Sequence, residues 1–209
     1  MVSGVEVFNK IFEKLVIKTI TIDDDLLLGI CNIEADPDLN FRERERKSVQ
    51  GLLRYMLHDD TVVVDHNGDG KPTIPGYNIS ITHTRGYAAV ILSKNRHVGV
   101  DIEYISNRVG RIAQRFLRPD ELATLNPQSS SLNSEPSTSN LQPSTFNFLK
   151  AWCAKEAVYK YYSGDHLAYA DMRCTIVDAT HFDVDNIQRE ETVRVAFQLT
   201  DAYVLAWVE

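Results

Sequence analysis

Residues 97–103 read HVGVDIE, a β-rich run in which, from residue 98 onward, apolar side chains alternate with Gly99, Asp101 and Glu103. Successive side chains of a strand point to opposite faces, so the apolar residues share one face and the two carboxylates share the other. The Cα atoms of Asp101 and Glu103 should lie roughly 6.5 to 7 Å apart, which lets both carboxylates converge on one hard cation. The same alternation is normal for a strand with one face in water, so the strand alone leaves both interpretations open.

A second informative stretch is FNFLKAWCAKEAVYKYY, residues 146–162, which has the spacing of a helix. Its apolar stripe contains Leu149 and Trp152. Glu156 and Lys160 continue that stripe, so an acid and a base stand where residues facing the core are expected. An ordinary i, i+4 pair worth about 0.2–0.5 kcal/mol would explain them. If Glu156 instead meets the strand carboxylates, a cation must compensate the three charges, and Mg²⁺ accepts such ligands together with phosphate oxygens.

The remaining pattern predicts an α+β protein made of two similar halves. The first half should contain a strand at 26–34, a helix at 42–58, a short strand TVVVD at 61–65 and an antiparallel meander of YNISITH, YAAVILS and HVGVDIE. The second half should contain helices near 107–125 and 147–162 and strands near 172–177, 193–199 and 202–208. We divide the chain into an N-terminal extension (1–20), a first half (21–105) and a second half (106–209), with a mobile loop expected at 126–145, which is rich in Ser, Pro, Asn and Thr.

Composition and charge argue against several classes of protein. The formal net charge of −7 argues against nonspecific nucleic-acid binding, which depends on a basic surface. No stretch has the length of a membrane span, and the first twenty residues mix charged and apolar side chains, unlike a signal peptide. Cys31, Cys153 and Cys174 form no metal-binding pair and indicate reduced thiols. We therefore expect a cytoplasmic protein that binds neither nucleic acid nor membrane.

Together, VGVDIE (98–103) and WCAKEAVYK (152–160) resemble the paired motifs of the phosphopantetheinyl transferase family, in the large single-chain form typified by the enzymes that activate surfactin synthetase. SITHT (80–84), GKP (70–72) and FLRPDE (116–121) add to the resemblance, which covers about residues 25 to 208. It implies a pseudo-dimer of two α+β halves, each with a small antiparallel sheet packed with a long helix. It also implies transfer of the phosphopantetheine arm of coenzyme A to a serine of an acyl or peptidyl carrier protein.

The resemblance assigns the acidic residues to catalysis. Asp101, Glu103 and Glu156 match the family's magnesium ligands, and Glu156 also matches the candidate base for the acceptor serine. Lys160 matches the lysine that meets the coenzyme A pyrophosphate. Glu121 matches a recurrent glutamate.

Further residues are expected at coenzyme A. Lys155 matches the other lysine of the signature helix, His83 a histidine at the pyrophosphate, and Thr82 stands where the family more often has serine. Lys71 resembles a basic residue near the 3'-phosphate. A departure occurs in the first long helix, where Gln50 and Gly51 replace the arginine that often precedes the paired leucines. Lys47 and Arg54, one turn to either side, are the candidates to replace that arginine.

Partner and oligomeric state follow from the same resemblance. Arg108, Arg111 and Arg115 repeat beside an apolar stripe, so they form a candidate docking surface for an acidic carrier protein. Because a pseudo-dimer already contains the interface that smaller relatives form by association, we expect a monomer. A magnesium-dependent phosphohydrolase or nuclease and a non-catalytic carrier-protein binding module remain the alternatives; the acidic composition disfavours a nuclease, and the complete carboxylate set disfavours the binding module.

Overall fold

A computed structural model describes residues 17–126 and 143–209 and confirms the α+β fold class. The chain divides into two compact units, Met1–Ile102 and Glu103–Glu209, so the division falls a few residues before the boundary expected from the sequence. Each unit contains an antiparallel sheet and one long helix. No helix in the described ranges is long and apolar enough to span a membrane.

The first unit is a four-stranded antiparallel sheet, in the order β1-β2-β6-β5, with one helix packed on it. Its elements are β1 (Ile17–Thr21), β2 (Leu27–Asn32), α1 (Phe41–Leu57), β3 (Asp65–His66), β4 (Pro72–Thr73), β5 (Asn78–Thr84) and β6 (Tyr87–Ser93). A capping box starts α1, because the Asn40 side chain accepts from the Glu43 N–H and the Glu43 carboxylate accepts from the Asn40 N–H. The apolar stripe of α1 then packs on β2 and β6, with Leu52 and Leu53 fully buried.

Strands β5 and β6 form a tight hairpin joined by Arg85 and Gly86. Gly86 has φ +85°, a left-handed backbone conformation that favours glycine. From Ser80 onward the burial along β5 alternates, so that the hydroxyl residues Ser80 and Thr82 are buried while His83 between Thr82 and Thr84 is exposed. Strand β5 therefore carries hydroxyl groups on its buried face and the imidazole of His83 on its exposed face.

Two expectations for the first half were wrong, and one strand was not predicted. HVGVDIE does not form a third strand of the meander, because β6 already has β2 and β5 as its two neighbours. Most of TVVVD is irregular, and only Asp65–His66 pairs, with Pro72–Thr73. Ile17–Thr21 is a strand paired with β2, although most of it lies in the segment taken as an unmatched extension.

The second unit is a five-stranded antiparallel sheet, in the order β7-β11-β10-β9-β8, with its long helix packed on it. Strand β7 (Val100–Tyr104) contains the division between the units. The other elements are α2 (Arg108–Phe116), α3 (Pro119–Leu125), α4 (Pro143–Tyr161), a 3₁₀ turn (Tyr169–Asp171), β8 (Met172–Ile176), β9 (His181–Asn186), β10 (Glu191–Leu199) and β11 (Tyr203–Val208). Helix α4 buries Ala151, Ala154 and Val158 against this sheet.

The helical segment expected near 107–125 is divided into two helices, because Leu117 is extended and Pro119 begins α3, in agreement with the stop that Pro119 indicates. The sequence missed one strand of the second half. Strand β9 was not predicted at all; it reads HFDVDN and alternates between partly and fully buried residues. Apart from Asn126 and the first turn of α4, the loop expected at 126–145 lies outside the described residues.

Candidate functional site

A cavity of about 580 Å³ lies in the first unit between α1 and the strands. Its walls combine basic, acidic and apolar side chains: Arg42, Glu45, Arg46, Val49, Gln50, Val64, His66, Pro72, Ile81 and His83. The volume is within the range of pockets that hold small molecules and cofactors. Arg42, Arg46 and Gln50 stand one helical turn apart, so α1 lines its length with two guanidinium groups and one amide.

A buried carboxylate lies beside the histidine of this cavity. Nδ1 of His83 lies 2.7 Å from Oε1 of Glu45, whose side chain is 8% exposed, whereas the His83 ring is 51% exposed. This contact occupies the side of the ring at Nδ1 and leaves the other ring nitrogen, Nε2, available to a ligand. His83 therefore lines the cavity beside Glu45, a neighbour that the sequence did not indicate.

The basic residues Lys47, Arg54 and Lys71, which were also expected at coenzyme A, are not among the residues that line this cavity. Lys47 is exposed and pairs with Asp36 at 3.0 Å, and neither Lys47 nor Arg54 lines the cavity. Lys71 precedes the cavity residue Pro72, and its backbone N–H donates to the side chain of Asn67. The amide of Gln50 donates to the Val62 carbonyl.

Asp101 is held by a neighbouring strand of the first unit. Its side chain is buried, at 5% exposure, and Oδ1 accepts a 2.9 Å hydrogen bond from the Thr82 hydroxyl. The hydroxyl oxygens of Ser80 and Thr82 also accept from the backbone N–H groups of Val100 and Ile102, at 3.2 and 3.4 Å. Thr82 therefore faces Asp101, whereas its neighbour His83 faces the cavity on the other side of the strand.

In the second unit, neutral donors hold the other two candidate metal ligands. Oε1 of Glu103 accepts from the indole N–H of Trp152 at 3.3 Å. Oε1 of Glu156 accepts from the hydroxyl of Tyr169. A smaller cavity of about 170 Å³ adjoins this region and is lined by Glu103, Tyr104, Ser106, Arg108, Val109, Ile112, Leu149 and Trp152.

The three carboxylates share one property. Asp101, Glu103 and Glu156 each accept from a neutral hydroxyl or indole donor, which orients a carboxylate without cancelling its charge. Among the described residues, no three Asp, Glu, His or Cys side chains gather as a ready cage for a metal ion. Mg²⁺ does not need such a cage, since it binds through one or two carboxylates together with waters and substrate phosphates. The donor set therefore fits magnesium chemically.

The two lysines of the signature helix have different environments. Lys160 lies in the last turn of α4 and is partly buried. Lys155 is 0% exposed, and its Nζ donates to Oε2 of Glu121 at 2.7 Å. It also lies within hydrogen-bonding distance of the carbonyls of Phe116, Tyr169 and Met172. Because Lys155 is fully enclosed by these groups, the expected contact with coenzyme A is replaced by a role in holding the unit together.

Glu121 completes this buried pair. Besides Lys155, its carboxylate accepts from the backbone N–H groups of Arg118 at 2.7 Å and Cys174 at 2.6 Å. The pair thus satisfies backbone groups of α2, α3, the 3₁₀ turn and strand β8. The sequence singled out Glu121 but gave no indication of this partner.

The basic residues predicted on α2 are all at the surface. Arg108, Arg111 and Arg115 are exposed, while Val109, Ala113 and Phe116 on the same helix are buried. Helix α2 therefore has a buried apolar side and an exposed basic side, as predicted.

The three cysteines, Cys31, Cys153 and Cys174, are free thiols and all buried. Burial raises the pKa of the Cys31 thiol to about 12, and desolvation also raises that of Cys174. The thiols of Cys31 and Cys174 are therefore protonated near neutral pH and are not candidate nucleophiles.

Comparison with protein families gives a match over residues 97–208 to the family described as "ACPS: 4'-phosphopantetheinyl transferase superfamily". This range is more than half of the chain and contains both signature motifs. The chain therefore belongs to the 4'-phosphopantetheinyl transferase superfamily. No curated protein matches the chain.

Proposed function

We propose that this protein transfers the 4'-phosphopantetheine arm of coenzyme A to a serine hydroxyl of an acyl or peptidyl carrier protein. The products are the holo-carrier protein and adenosine 3',5'-bisphosphate. Superfamily membership supports phosphopantetheinyl transfer in general. The observation that carries the choice of coenzyme A as donor is the cavity in the first unit, because it lies outside the matched residues and supports the reaction independently.

In this proposal the first-unit cavity binds the nucleotide part of coenzyme A. Arg42 and Arg46 supply fixed positive charge for phosphate groups, which guanidinium binds in a bidentate manner. Nε2 of His83, on the side of the ring away from Glu45, supplies a further polar contact. We assign Arg42 and Arg46 the phosphate contact that Lys47 and Arg54 were expected to make, since both arginines line the cavity.

We assign the metal to Asp101, Glu103 and Glu156. The ordered carboxylates supply the oxygen ligands that Mg²⁺ prefers, with Thr82 and Tyr169 fixing two of them in orientation. A bound Mg²⁺ would neutralise negative charge on the pyrophosphate. Thr82 contributes to the site through Asp101 rather than by touching the substrate.

The chemical step needs a base and a stabilised leaving group. Glu156 accepts the proton of the carrier serine as its oxygen attacks the β-phosphorus of coenzyme A. The new serine O–P bond forms while the P–O bond to the α-phosphate breaks, so the bridging oxygen leaves with adenosine 3',5'-bisphosphate. Lys160, one turn beyond Glu156, supplies positive charge to that oxygen as negative charge develops.

The carrier protein docks on the exposed arginines of α2 in this proposal. Arg108, Arg111 and Arg115 offer a local positive surface on a chain whose formal net charge is −7. An acidic partner would be repelled by the chain as a whole and attracted by this surface, which gives the approach a direction.

The deciding experiment incubates the full chain with coenzyme A, Mg²⁺ and an apo-carrier protein, and follows the carrier by mass spectrometry. The proposal expects a carrier mass increased by one phosphopantetheine group, with adenosine 3',5'-bisphosphate released in equal amount. A carrier with its serine replaced by alanine is the control. Release of nucleotide without a modified carrier would favour a phosphohydrolase, and binding of the carrier without either product would favour a binding module.

A further inference from the structure

Tyr169 is a residue for which the sequence motifs predicted no role. It begins the 3₁₀ turn between α4 and β8, and its hydroxyl donates to Oε1 of Glu156. We propose that Tyr169 is a positioning residue that holds the Glu156 carboxylate in its working orientation. This inference rests on the proposed function, since it concerns how Glu156 is presented to the metal and to the serine.

The backbone of Tyr169 is fixed from several sides. Its carbonyl accepts from the buried Nζ of Lys155 at 3.2 Å, and the carbonyl of the next residue, Ala170, accepts from the Arg118 guanidinium at 2.7 Å. The turn is closed on itself, because the carboxylate of Asp171 accepts from the Ala168 N–H at 3.0 Å. These hydrogen bonds therefore hold the Cα atom of Tyr169, from which its side chain extends, in a defined position.

The ring of Tyr169 is fixed as well. It packs against Trp152 with centroids 5.4 Å apart and against Phe116 with centroids 6.4 Å apart. Phe116 and Trp152 in turn meet edge to face at 5.0 Å. With the ring held among two other aromatic rings, the position of the hydroxyl is determined by packing rather than by its bond to Glu156.

Two of these aromatic side chains donate hydrogen bonds to candidate metal ligands. Trp152 donates its indole N–H to Glu103, and Tyr169 donates its hydroxyl to Glu156. Because the two rings pack directly on each other, they set the directions of both carboxylates from one rigid support. Trp152 and Tyr169 act through Glu103 and Glu156 and not on the substrate.

The hydrogen bond leaves Glu156 able to perform its proposed roles. A carboxylate has two oxygens with about four acceptor positions, so one bond to a hydroxyl leaves capacity for a cation and for a proton. The bond to Tyr169 reduces the number of Glu156 rotamers that would have to be reordered before reaction. Preorganised groups avoid that cost, which is why their loss lowers the rate of the chemical step rather than substrate binding.

The test compares Tyr169→Phe with the wild type. Phenylalanine keeps the ring and its packing and removes only the hydroxyl. We expect kcat to fall by roughly 10- to 100-fold, the effect of losing one hydrogen bond to a charged group, while the KM for coenzyme A changes less than about twofold. Tyr159→Phe is the matched control, because Tyr159 is exposed on the same helix as Glu156 and should leave kcat unchanged.

A second readout does not depend on turnover. Mn²⁺ alone is titrated into each protein and free Mn²⁺ is followed by electron paramagnetic resonance, with weaker binding expected for Tyr169→Phe and wild-type binding for Tyr159→Phe. Unchanged kcat together with unchanged Mn²⁺ affinity in folded Tyr169→Phe overturns the inference. If the wild type transfers no phosphopantetheine, the proposed function fails instead, and the Mn²⁺ titration by itself then decides the role of Tyr169.

Discussion

Replacing Lys155 by methionine is the sharpest test of how the second unit is held together. Methionine has a similar length and no charge, so the substitution removes the ammonium group with little change of volume. It leaves the carboxylate of Glu121, which is 1% exposed, without its counter-ion. It also removes the donor that lies near the carbonyls of Phe116, Tyr169 and Met172.

The expected loss of unfolding free energy follows from the burial of the ion pair between Lys155 and Glu121. Removing one partner of a buried ion pair costs about 3–5 kcal/mol of unfolding free energy, whereas an exposed pair is worth about 0–1 kcal/mol. The exposed pair of Arg173 and Asp120, at 3.0 Å, is a suitable comparison because it lies on neighbouring elements. We therefore expect a loss of about 3–5 kcal/mol for Lys155→Met and at most about 1 kcal/mol for Arg173→Met.

The double variant Lys155→Met with Glu121→Leu separates the ion pair from its other contacts. An isolated buried pair can often be replaced by apolar residues without loss of stability. Here the pair also satisfies the N–H groups of Arg118 and Cys174, together with the carbonyls near Lys155. Each buried backbone group left without a partner costs about 1–3 kcal/mol, so the double variant should recover little of the stability that the single variant loses.

Urea unfolding followed by tryptophan fluorescence measures these differences. Both tryptophans, Trp152 and Trp207, lie in the second unit, so the signal reports on the unit that contains the substitution. With a slope of about 1–3 kcal/mol per molar urea, a loss of about 3–5 kcal/mol for Lys155→Met should lower the midpoint by roughly 1 to 5 M. A loss below about 1 kcal/mol, or a double variant as stable as the wild type, would refute this reasoning.

Three further predictions concern the proposed reaction. Arg46→Ala should raise the KM for coenzyme A by about tenfold, as expected for one charge-assisted contact, while Lys47→Ala on the adjacent position should not; equal effects in steady-state assays would contradict the assignment of the cavity. Asp101→Ala should abolish transfer in the mass assay while circular dichroism shows an intact fold, and wild-type turnover at saturating Mg²⁺ would remove Asp101 from the metal site. Arg111→Glu combined with Arg115→Glu should raise the KM for the carrier and reduce its dependence on salt without affecting the KM for coenzyme A; an unchanged carrier KM would place docking elsewhere.

Local periodicity was sufficient to predict several features of the site. The two-residue repeat put Asp101 and Glu103 on one strand, and the helical repeat put Glu156 on the same stripe as Trp152. The turn before Pro119 was also predictable, since proline disfavours continuation of the preceding helix. These features depend on residues close together in the sequence.

The missed features depend on contacts between distant residues. Strand β7 was placed with β6 because consecutive strands usually pair, but it joins the sheet of β11 instead. Tyr169 and Glu45 acquire their roles only when the chain brings them to Glu156 and His83. No local pattern of residues predicts these contacts, because the partners are far apart in the sequence.

Lys155 could have been placed correctly from the sequence. On a helix it shares a stripe with Ala151, four residues earlier, and Val158, three residues later, and both of these are fully buried. It lies about 100° around the helix axis from Glu156, so the two neighbours face different surroundings. The family signature assigned it to coenzyme A, whereas the helical repeat indicated the core.

In the hairpin of β5 and β6, the number of residues is itself important for the proposed function. Two residues, Arg85 and Gly86, connect the strands and fix the register in which His83 lies opposite Ala88. Insertion or deletion of one residue within β5 would turn His83 toward Asp101 and Thr82 toward the cavity, since a shift by one position reverses every side chain. The proposed coenzyme A contact of His83 and the hydrogen bond from Thr82 to Asp101 would be lost in one step, although both side chains would still be present. Variation among related chains should therefore tolerate substitutions in this hairpin far more readily than changes in its length.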